Sequence, residues 1–182
     1  YEINISCPNV NVGGMEFGVD CDLTEQLTSR LRKLTDRLLI MKLSPNVTDI
    51  AAIGVAAEKG GADALSAINT LVGMSINTTN RKSNIYYGFG GLSGPAIKPV
   101  GLACVHKVYQ AVGIPLIGMG GIISAVDVLE YVLAGAVAVE VGTANYRDPN
   151  VGNSIILELD ALLNKNDLGS IHELVGNVEL GS

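Results

Sequence analysis

Short apolar runs alternate with longer amphipathic stretches along most of this chain. The apolar runs predict strands at Tyr1–Ile5, Leu38–Leu43, Ala64–Ile68, Pro115–Gly118 and Val137–Val141. The stretches between and after them predict helices at Leu23–Leu34, Asp49–Lys59, Pro99–Val112, Ala125–Ala134, Val151–Asn164 and Ser170–Val178. Thr48 and Ser124 stand where helix N-caps are expected. Repeated strand-helix alternation predicts a parallel sheet with right-handed crossovers.

Two α/β architectures fit this alternation: an open doubly wound sheet and part of a (β/α)₈ barrel. The length of 182 residues suits one domain, whereas a complete barrel typically needs about 250 residues. Because the chain starts at Tyr1 rather than at methionine, we expect an N-terminal portion to be missing. On the barrel interpretation, residues 1–182 are the C-terminal portion of a single domain whose first strands are absent.

One segment interrupts the alternation. Residues 73–91 carry polar turn residues at 77–80 and then the apolar run Ile85-Tyr86-Tyr87, which predicts a β-hairpin excursion after the third strand. Loops that follow barrel strands build the active site, so we expect this excursion to cover it.

Composition narrows the function classes. Hydrophobic residues make up 48% of the chain and charged residues 16%, with no Trp, which predicts a large aliphatic core. The net charge of -6 weighs against nucleic acid or an anionic membrane as partner, and no apolar run approaches the roughly 20 residues of a membrane span. Three cysteines without paired spacing favour a reducing, cytoplasmic compartment. His106 and His172 lack neighbours at ligand spacing, so we expect no metal site.

The unusual residues follow the predicted strands directly. They are Cys7, Lys42, Asn69-Thr70, Gly118–Gly121 and Gly142-Thr143. The carboxyl ends of parallel strands meet at one edge, where ligands bind in both candidate architectures. The sequence therefore predicts one composite site.

Glycine pairs follow the last two strands. In a barrel, the loops at Gly120-Gly121 and Gly142-Thr143 would form a phosphate site, because glycine lets a ligand approach exposed backbone N–H groups. The alternative is that these glycines only make tight turns. The chain lacks the P-loop lysine pattern and GxGxxG, so the phosphate need not belong to a nucleoside triphosphate or NAD.

Lys42 and Cys7 are the candidate reactive side chains. Lys42 ends an apolar strand, and it either stabilises negative charge forming on a ligand or extends its ammonium group to the rim. Cys7 is either a small buried hydrophobe or a base, and the polar neighbours Asn4, Ser6 and Asn9 favour a functional role.

Several motifs together resemble the dihydroorotate dehydrogenases, specifically the catalytic subunit of the NAD-linked class 1B. The matching stretches are Asn4–Val10, Met41–Ile50, Ile68–Thr70, Gly90–Pro99, Ile117–Gly121 and Val141–Ala144. They span nearly the whole chain in the family's order. Cysteine at the base position separates this class from the membrane-associated class, which has serine there.

The resemblance implies a (β/α)₈ barrel that binds FMN and oxidises dihydroorotate to orotate in pyrimidine (UMP) biosynthesis. Cys7 would take the C5 proton while the C6 hydride passes to flavin N5, and the charge of Lys42 would favour the reduced, anionic flavin. Further flavin contacts are implied for Asn4, Ile68, Gly94, Gly120, Gly121, Gly142 and Thr143. Substrate contacts are implied for Asn4, Asn69 and Thr70, with Asn9 as a further candidate.

The resemblance also implies partners. Class 1B enzymes form a homodimer that pairs with an electron-transfer subunit, which gives a heterotetramer. That subunit carries FAD and a [2Fe-2S] cluster and passes electrons to NAD.

Three alternatives to this function remain: a flavin barrel acting on a related dihydropyrimidine, a phosphate-binding barrel without flavin, and an inactive fragment that serves as an interaction surface. Glu140, in a strand where an apolar residue is expected, has no explanation at this level.

Overall fold

Five parallel strands form the main sheet of the protein, which we describe from a computed structural model for residues 1–6 and 17–181. The strands are β1 (Glu2–Asn4), β2 (Ile40–Leu43), β3 (Ala64–Ala67), β4 (Leu71–Gly73), β5 (Ile76–Asn77), β6 (Lys82–Ser83), β7 (Gly90–Leu92), β8 (Leu116–Met119) and β9 (Ala138–Glu140). The helices are α1 (Cys21–Arg32), α2 (Ile50–Lys59), α3 (Lys98–Tyr109), α4 (Ala125–Leu133), α5 (Ala144–Arg147) and α6 (Val151–Lys165). Short 3₁₀ helices span Phe17–Val19, Pro95–Ile97 and Ile171–Leu174.

The order of strands in the sheet decides between the two predicted architectures. The main sheet runs β1-β2-β3-β8-β9, which is the order of the chain, and all four pairings are parallel. Helix α2 contacts β2 and β3, α3 contacts β3 and β8, and α4 contacts β8 and β9. A doubly wound sheet reverses its strand order at a switch point, whereas a barrel advances steadily. The arrangement is therefore that of consecutive units of a (β/α)₈ barrel.

The two faces of the sheet differ in chemistry. On β2, Met41 and Leu43 are fully buried against the helices, while Ile40 and Lys42 point to the opposite face. Two glycines allow close packing on the helix side: a Cβ at Gly54 of α2 would lie 3.2 Å from Val108 of α3, and one at Gly118 of β8 would lie 2.5 Å from Tyr131 of α4. The aliphatic core lies between the sheet and these helices.

The excursion predicted over residues 73–91 is a nested pair of hairpins. β4 pairs antiparallel with β7, and β5 pairs antiparallel with β6 further from the sheet. The hairpin prediction is confirmed. It begins a few residues earlier than expected, because Leu71 and Val72 already pair with Leu92 and Gly91.

Helix ends test the capping predictions. Ser124 caps α4 in a full capping box with Asp127, as predicted. Thr48 is not a cap: the carboxylate of Asp49 accepts the N–H groups of Ala51 and Ala52, so α2 begins one residue later. The helix predicted over Ser170–Val178 is reduced to the 3₁₀ turn that Ser170 caps, because the backbone is already extended at Val175. Across residues 17–181, no helix has both the length and the apolar character needed to cross a bilayer.

Candidate active site

A pocket opens at the carboxyl ends of the parallel strands. The pocket is lined by nine residues that the sequence analysis predicted to belong to the site: Lys42, Ile68, Asn69, Thr70, Gly94, Gly120, Gly121, Gly142 and Thr143. Strand β2, the loops after β3, β8 and β9, and the segment after β7 each contribute at least one of them. The structure therefore brings together residues that are up to 101 positions apart in the chain, from Lys42 to Thr143.

The two glycine loops form one side of this pocket and present unused hydrogen-bond donors. The backbone N–H groups of Gly121, Ile122, Gly142 and Thr143 donate to no acceptor within the described part of the chain. Backbone N–H groups gathered in this way bind anions, phosphate above all. A Cβ at Gly142 would meet nothing within 4 Å, so this residue leaves open space at the pocket wall.

Close backbone approach explains why two further positions are glycine. Gly94 and Gly121 have φ of 83° and 75°, a region that L side chains rarely adopt. A Cβ at Gly121 would also lie 2.8 Å from the carbonyl oxygen of Gly94. These glycines let the segment after β7 pack directly on the loop after β8.

Tyr131 holds the glycine loop from behind. Its side chain is fully buried in α4, and its hydroxyl reaches the carbonyl oxygens of Met119 at 3.1 Å and Gly120 at 2.8 Å. Burial raises the pKa of this hydroxyl, with smaller contributions from Cys104 and nearby acids, so it stays a proton donor at physiological pH. Tyr131 thus orients the peptide that leads into Gly121.

Removing that hydroxyl should destabilise the fold measurably. We expect Tyr131→Phe to lower the free energy of unfolding by about 1–3 kcal/mol, because a buried carbonyl oxygen then loses its donor. Urea unfolding of the full-length protein measures the difference. Tyr146→Phe is the matched control, since Tyr146 is 95% exposed. Equal unfolding curves for the two variants would show that Tyr131 does not hold the loop through its hydroxyl.

An ion-pair network anchors the same loop from the other side. Lys98, at the start of α3, pairs with Asp127 at 2.5 Å and with Glu130, both on α4. Asp127 also accepts the N–H groups of Ile123 and Ser124. Its hydrogen bonds to Asp127 and Glu130 raise the pKa of Lys98. Burial alone would raise the pKa of Asp127, but the bonds from Lys98, Ile123 and Ser124 outweigh it and lower the pKa.

Lys42 faces the pocket beside two acidic residues. Its Nζ lies 3.5 Å from Glu2 Oε2, and the hydroxyl of Ser66 donates to Glu2 Oε1 at 2.5 Å. Only 19% of the Lys42 side chain is exposed, so the ammonium group does not extend freely into solvent. Glu140 of β9 lines the same pocket, and burial followed by repulsion from Glu2 raises its pKa.

Amide side chains arrange the rest of the pocket. Asn4 Oδ1 accepts the N–H of Ser6 at 3.0 Å and the side-chain amide of Asn69 at 3.4 Å, which brings β1 to the loop after β3. Asn46 spans the next gap, because its amide donates to the Thr70 carbonyl at 2.9 Å while its oxygen accepts the Val72 N–H at 3.0 Å. These bonds fix the segment that carries Asn69 and Thr70.

The structure leaves part of the prediction open. Cys7 and Asn9 lie outside the described residues, and Asn4 borders the pocket through Asn69. Sequence reasoning missed other lining residues: Ser93, Ile97, Ile122, Ile123, Glu140, Val141 and Ala144. Most of these residues are apolar, and nothing in the sequence marks them as site residues except their position next to a glycine loop. Glu140 did carry one, since a carboxylate interrupts an apolar strand.

Comparison with known proteins agrees with this geometry. The family model for dihydroorotate dehydrogenase matches residues 1–163. The catalytic subunit of dihydroorotate dehydrogenase B (NAD(+)) from Desulforamulus reducens is 53% identical over 179 residues, which covers 98% of this chain and 59% of that protein. Dihydroorotate dehydrogenase A (fumarate) from Lactobacillus helveticus is 48% identical over 178 residues, covering 98% and 58%. The crystal structure of DHODH in complex with ferulenol from Eimeria tenella matches with a TM-score of 0.78 at 28% identity, covering 97% of this chain and 53% of that one.

Consecutive β/α units with a pocket at the carboxyl ends of their strands define a partial (β/α)₈ barrel. The chain belongs to the dihydroorotate dehydrogenase family. The chain spans about 59% of the length of the relative from Desulforamulus reducens. That residues 1–182 form the C-terminal portion of a single FMN-binding domain remains a prediction.

Proposed function

We propose that this chain is part of an FMN-dependent dehydrogenase that oxidises dihydroorotate to orotate in pyrimidine biosynthesis. One observation carries the proposal: the pocket combines a backbone anion cradle, a partly buried lysine and the amide-bearing segment Asn69-Thr70 within the fold of this family. A phosphate-binding barrel without flavin would use the cradle but leaves the lysine and the amides unexplained.

The residues present fit FMN. The N–H groups of Gly121, Ile122, Gly142 and Thr143, which have no acceptor within residues 1–6 and 17–181, suit its phosphate. Ile68, which is 2% exposed, and Gly94 offer an apolar wall for its ring, and Lys42 offers a positive charge. When bound, FMN supplies the acceptor for the two electrons removed from the substrate.

Substrate handling is assigned to the opposite side of the pocket. Asn4, Asn69 and Thr70 are proposed to bind dihydroorotate, and the hydrogen bond between the two asparagines presents them as one surface. Cys7 is proposed to take the C5 proton as a general base. Ser6, the last described residue before it, donates its hydroxyl to the Lys42 carbonyl at 3.2 Å, and this contact supports the proposal.

The electron acceptor and partners are proposed from the relatives. Relatives named as NAD(+)-linked catalytic subunits support an NAD-linked enzyme that works with a second subunit. That this subunit carries FAD and a [2Fe-2S] cluster is proposed from the family resemblance. A homodimer within a heterotetramer and a cytoplasmic location complete the proposal. The fumarate-linked relative at 48% identity is the competing assignment within the family.

A spectroscopic experiment tests the proposed function. We expect the full-length protein to purify yellow, and we expect anaerobic addition of dihydroorotate to bleach the flavin absorbance. Dihydrouracil, which lacks the carboxylate, is the control and should leave the absorbance unchanged. Bleaching by dihydrouracil alone would instead indicate a related dihydropyrimidine substrate. A protein that binds no FMN would contradict the proposal and favour a barrel without flavin.

A further inference from the structure

Four consecutive backbone N–H groups, those of residues 121–124, follow strand β8, and the structure divides them between two uses. The N–H groups of Gly121 and Ile122, which both line the pocket, donate to no acceptor within the described ranges. The N–H groups of Ile123 and Ser124 both donate to Asp127 Oδ2 at 2.9 Å. A carboxylate therefore holds one half of this run, and the other half is left for a ligand.

The carboxylate of Asp127 lies close to the two N–H groups that remain. Consecutive residues are about 3.8 Å apart and a hydrogen bond spans about 2.9 Å, so an anion on the Ile122 N–H would have an oxygen within about 10 Å of Asp127 Oδ2. The side chain of Asp127 is only 9% exposed, so solvent screens its charge weakly. Unopposed, this carboxylate would repel an anion bound at Gly121 and Ile122.

Lys98 supplies the opposing charge. Its Nζ lies 2.5 Å from Asp127 Oδ1, a different oxygen from the one that accepts the N–H groups of the loop, so the two oxygens of this carboxylate have separate partners. The ammonium group also pairs with Glu130, whose side chain is 41% exposed and therefore better screened by water. Lys98 is not one of the described residues that line the pocket, so its charge acts from behind the loop.

The glycine loop packs directly against Lys98. A Cβ at Gly121 would lie 3.0 Å from the Lys98 Cβ and 3.1 Å from its backbone nitrogen. Gly121 therefore lies against the first residue of α3, which puts the pair formed by Lys98 and Asp127 next to the two N–H groups that are left for a ligand.

We propose that Lys98 is a positioning residue for anion binding in this pocket. It neutralises Asp127, so that this carboxylate can hold the back of the loop without repelling a phosphate bound at the N–H groups of Gly121 and Ile122. That the phosphate belongs to FMN rests on the function proposed above, whereas the role of Lys98 toward an anion does not. Lys98 differs in this from Lys42, which lines the pocket itself.

The first experiment compares the affinities of flavin-free, full-length protein for FMN and for riboflavin, which has the same ring system without the phosphate. Lys98→Met leaves Asp127 without its cation, so we expect FMN affinity to fall at least about tenfold and riboflavin affinity to stay at the wild-type level. Lys107→Met, at an exposed position on the same helix, is the matched control and should follow the wild type for both flavins. Equal losses for the two flavins would indicate a general structural effect and overturn the inference.

A second pair of variants separates charge neutralisation from packing. Lys98→Met combined with Asp127→Asn removes one charge of each sign, and the amide oxygen at position 127 can still accept the N–H groups of Ile123 and Ser124. We expect this double variant to recover most of the FMN affinity that Lys98→Met loses. Asp127→Asn alone should bind FMN at least as tightly as the wild type, a result that stays measurable if Lys98→Met does not fold. A double variant as weak as Lys98→Met, or a loss in Asp127→Asn, would contradict the inference.

Inorganic phosphate tests the same role without a flavin. The stabilisation of flavin-free protein by phosphate in urea unfolding reports its affinity. We expect Lys98→Met to bind phosphate at least about tenfold more weakly than the wild type, and the double variant to recover. This pattern in a protein that binds neither flavin would overturn the proposed function and leave the role of Lys98 standing. Unchanged phosphate and FMN affinities in Lys98→Met would overturn the inference and leave the proposed function intact.

Discussion

Cys7→Ala is expected to leave FMN bound and to slow reduction of the flavin by dihydroorotate by about 10²–10⁴-fold, the usual contribution of a general base. The C5 proton has no other proposed acceptor in this chain, whereas the flavin contacts proposed for Lys42 and the glycine loops do not involve the thiol. Anaerobic stopped-flow measurement of flavin bleaching gives the rate directly.

Two further measurements separate a base from a merely structural cysteine. Cys7→Ser should retain part of the rate, with its pH dependence moved to higher pH because a hydroxyl is a weaker acid than a thiol. Cys21→Ala, at an exposed position on α1, should behave as the wild type. If Cys7→Ala reduced its flavin at the wild-type rate, the base would have to be another residue.

The second large effect concerns the two glycine loops of the pocket. A substitution at Gly142 should weaken FMN binding, whereas one at Gly121 should lower the stability of the fold. Gly142→Val should fold normally, because its Cβ meets nothing within 4 Å, and yet bind FMN at least about tenfold more weakly, because it occupies space at the pocket wall. Gly121→Ala should destabilise the fold by about 1–3 kcal/mol, since its φ of 75° and the Gly94 carbonyl at 2.8 Å both oppose a side chain.

Measuring both properties on both variants makes the contrast decisive. Urea unfolding of FMN-free protein reports stability, and fluorescence titration with FMN reports affinity. Gly152→Val is the control for Gly142→Val, because Gly152 also has open space around its Cβ but lies on α6 away from the pocket. Unchanged FMN affinity in Gly142→Val would remove this loop from the phosphate site.

The fold was largely predictable from the sequence because its dominant signal is local. Each parallel strand is an apolar run in the sequence and each crossover is an amphipathic helix. The predicted bounds of the five main strands therefore differ from the observed ones by at most two residues. The carboxyl ends of such strands converge by topology alone, which is why nine predicted site residues meet in one pocket. The choice between sheet and barrel needed the strand order, which no local pattern encodes.

What the sequence did not predict depends on register and on short elements. The contact between Glu2 and Lys42 joins residues 40 positions apart and follows from how β1 aligns with β2. Helix α5 has four residues, too few for a periodic pattern. Thr48 and Asp49 are both good caps, and only the observed backbone shows that the aspartate is used.

The bonds that Asn46 makes on either side of Leu71 have a consequence for how the hairpin excursion can change. They tie its base to the loop after β2, whereas the hydrogen bonds at its tip stay local, because Thr79 and Asn80 donate to the side-chain oxygen of Asn77. Substitutions or small insertions at the tip are therefore insulated from Asn69 and Thr70. The excursion can diverge in sequence among related proteins, and can accept an engineered label, without disturbing the geometry of the pocket.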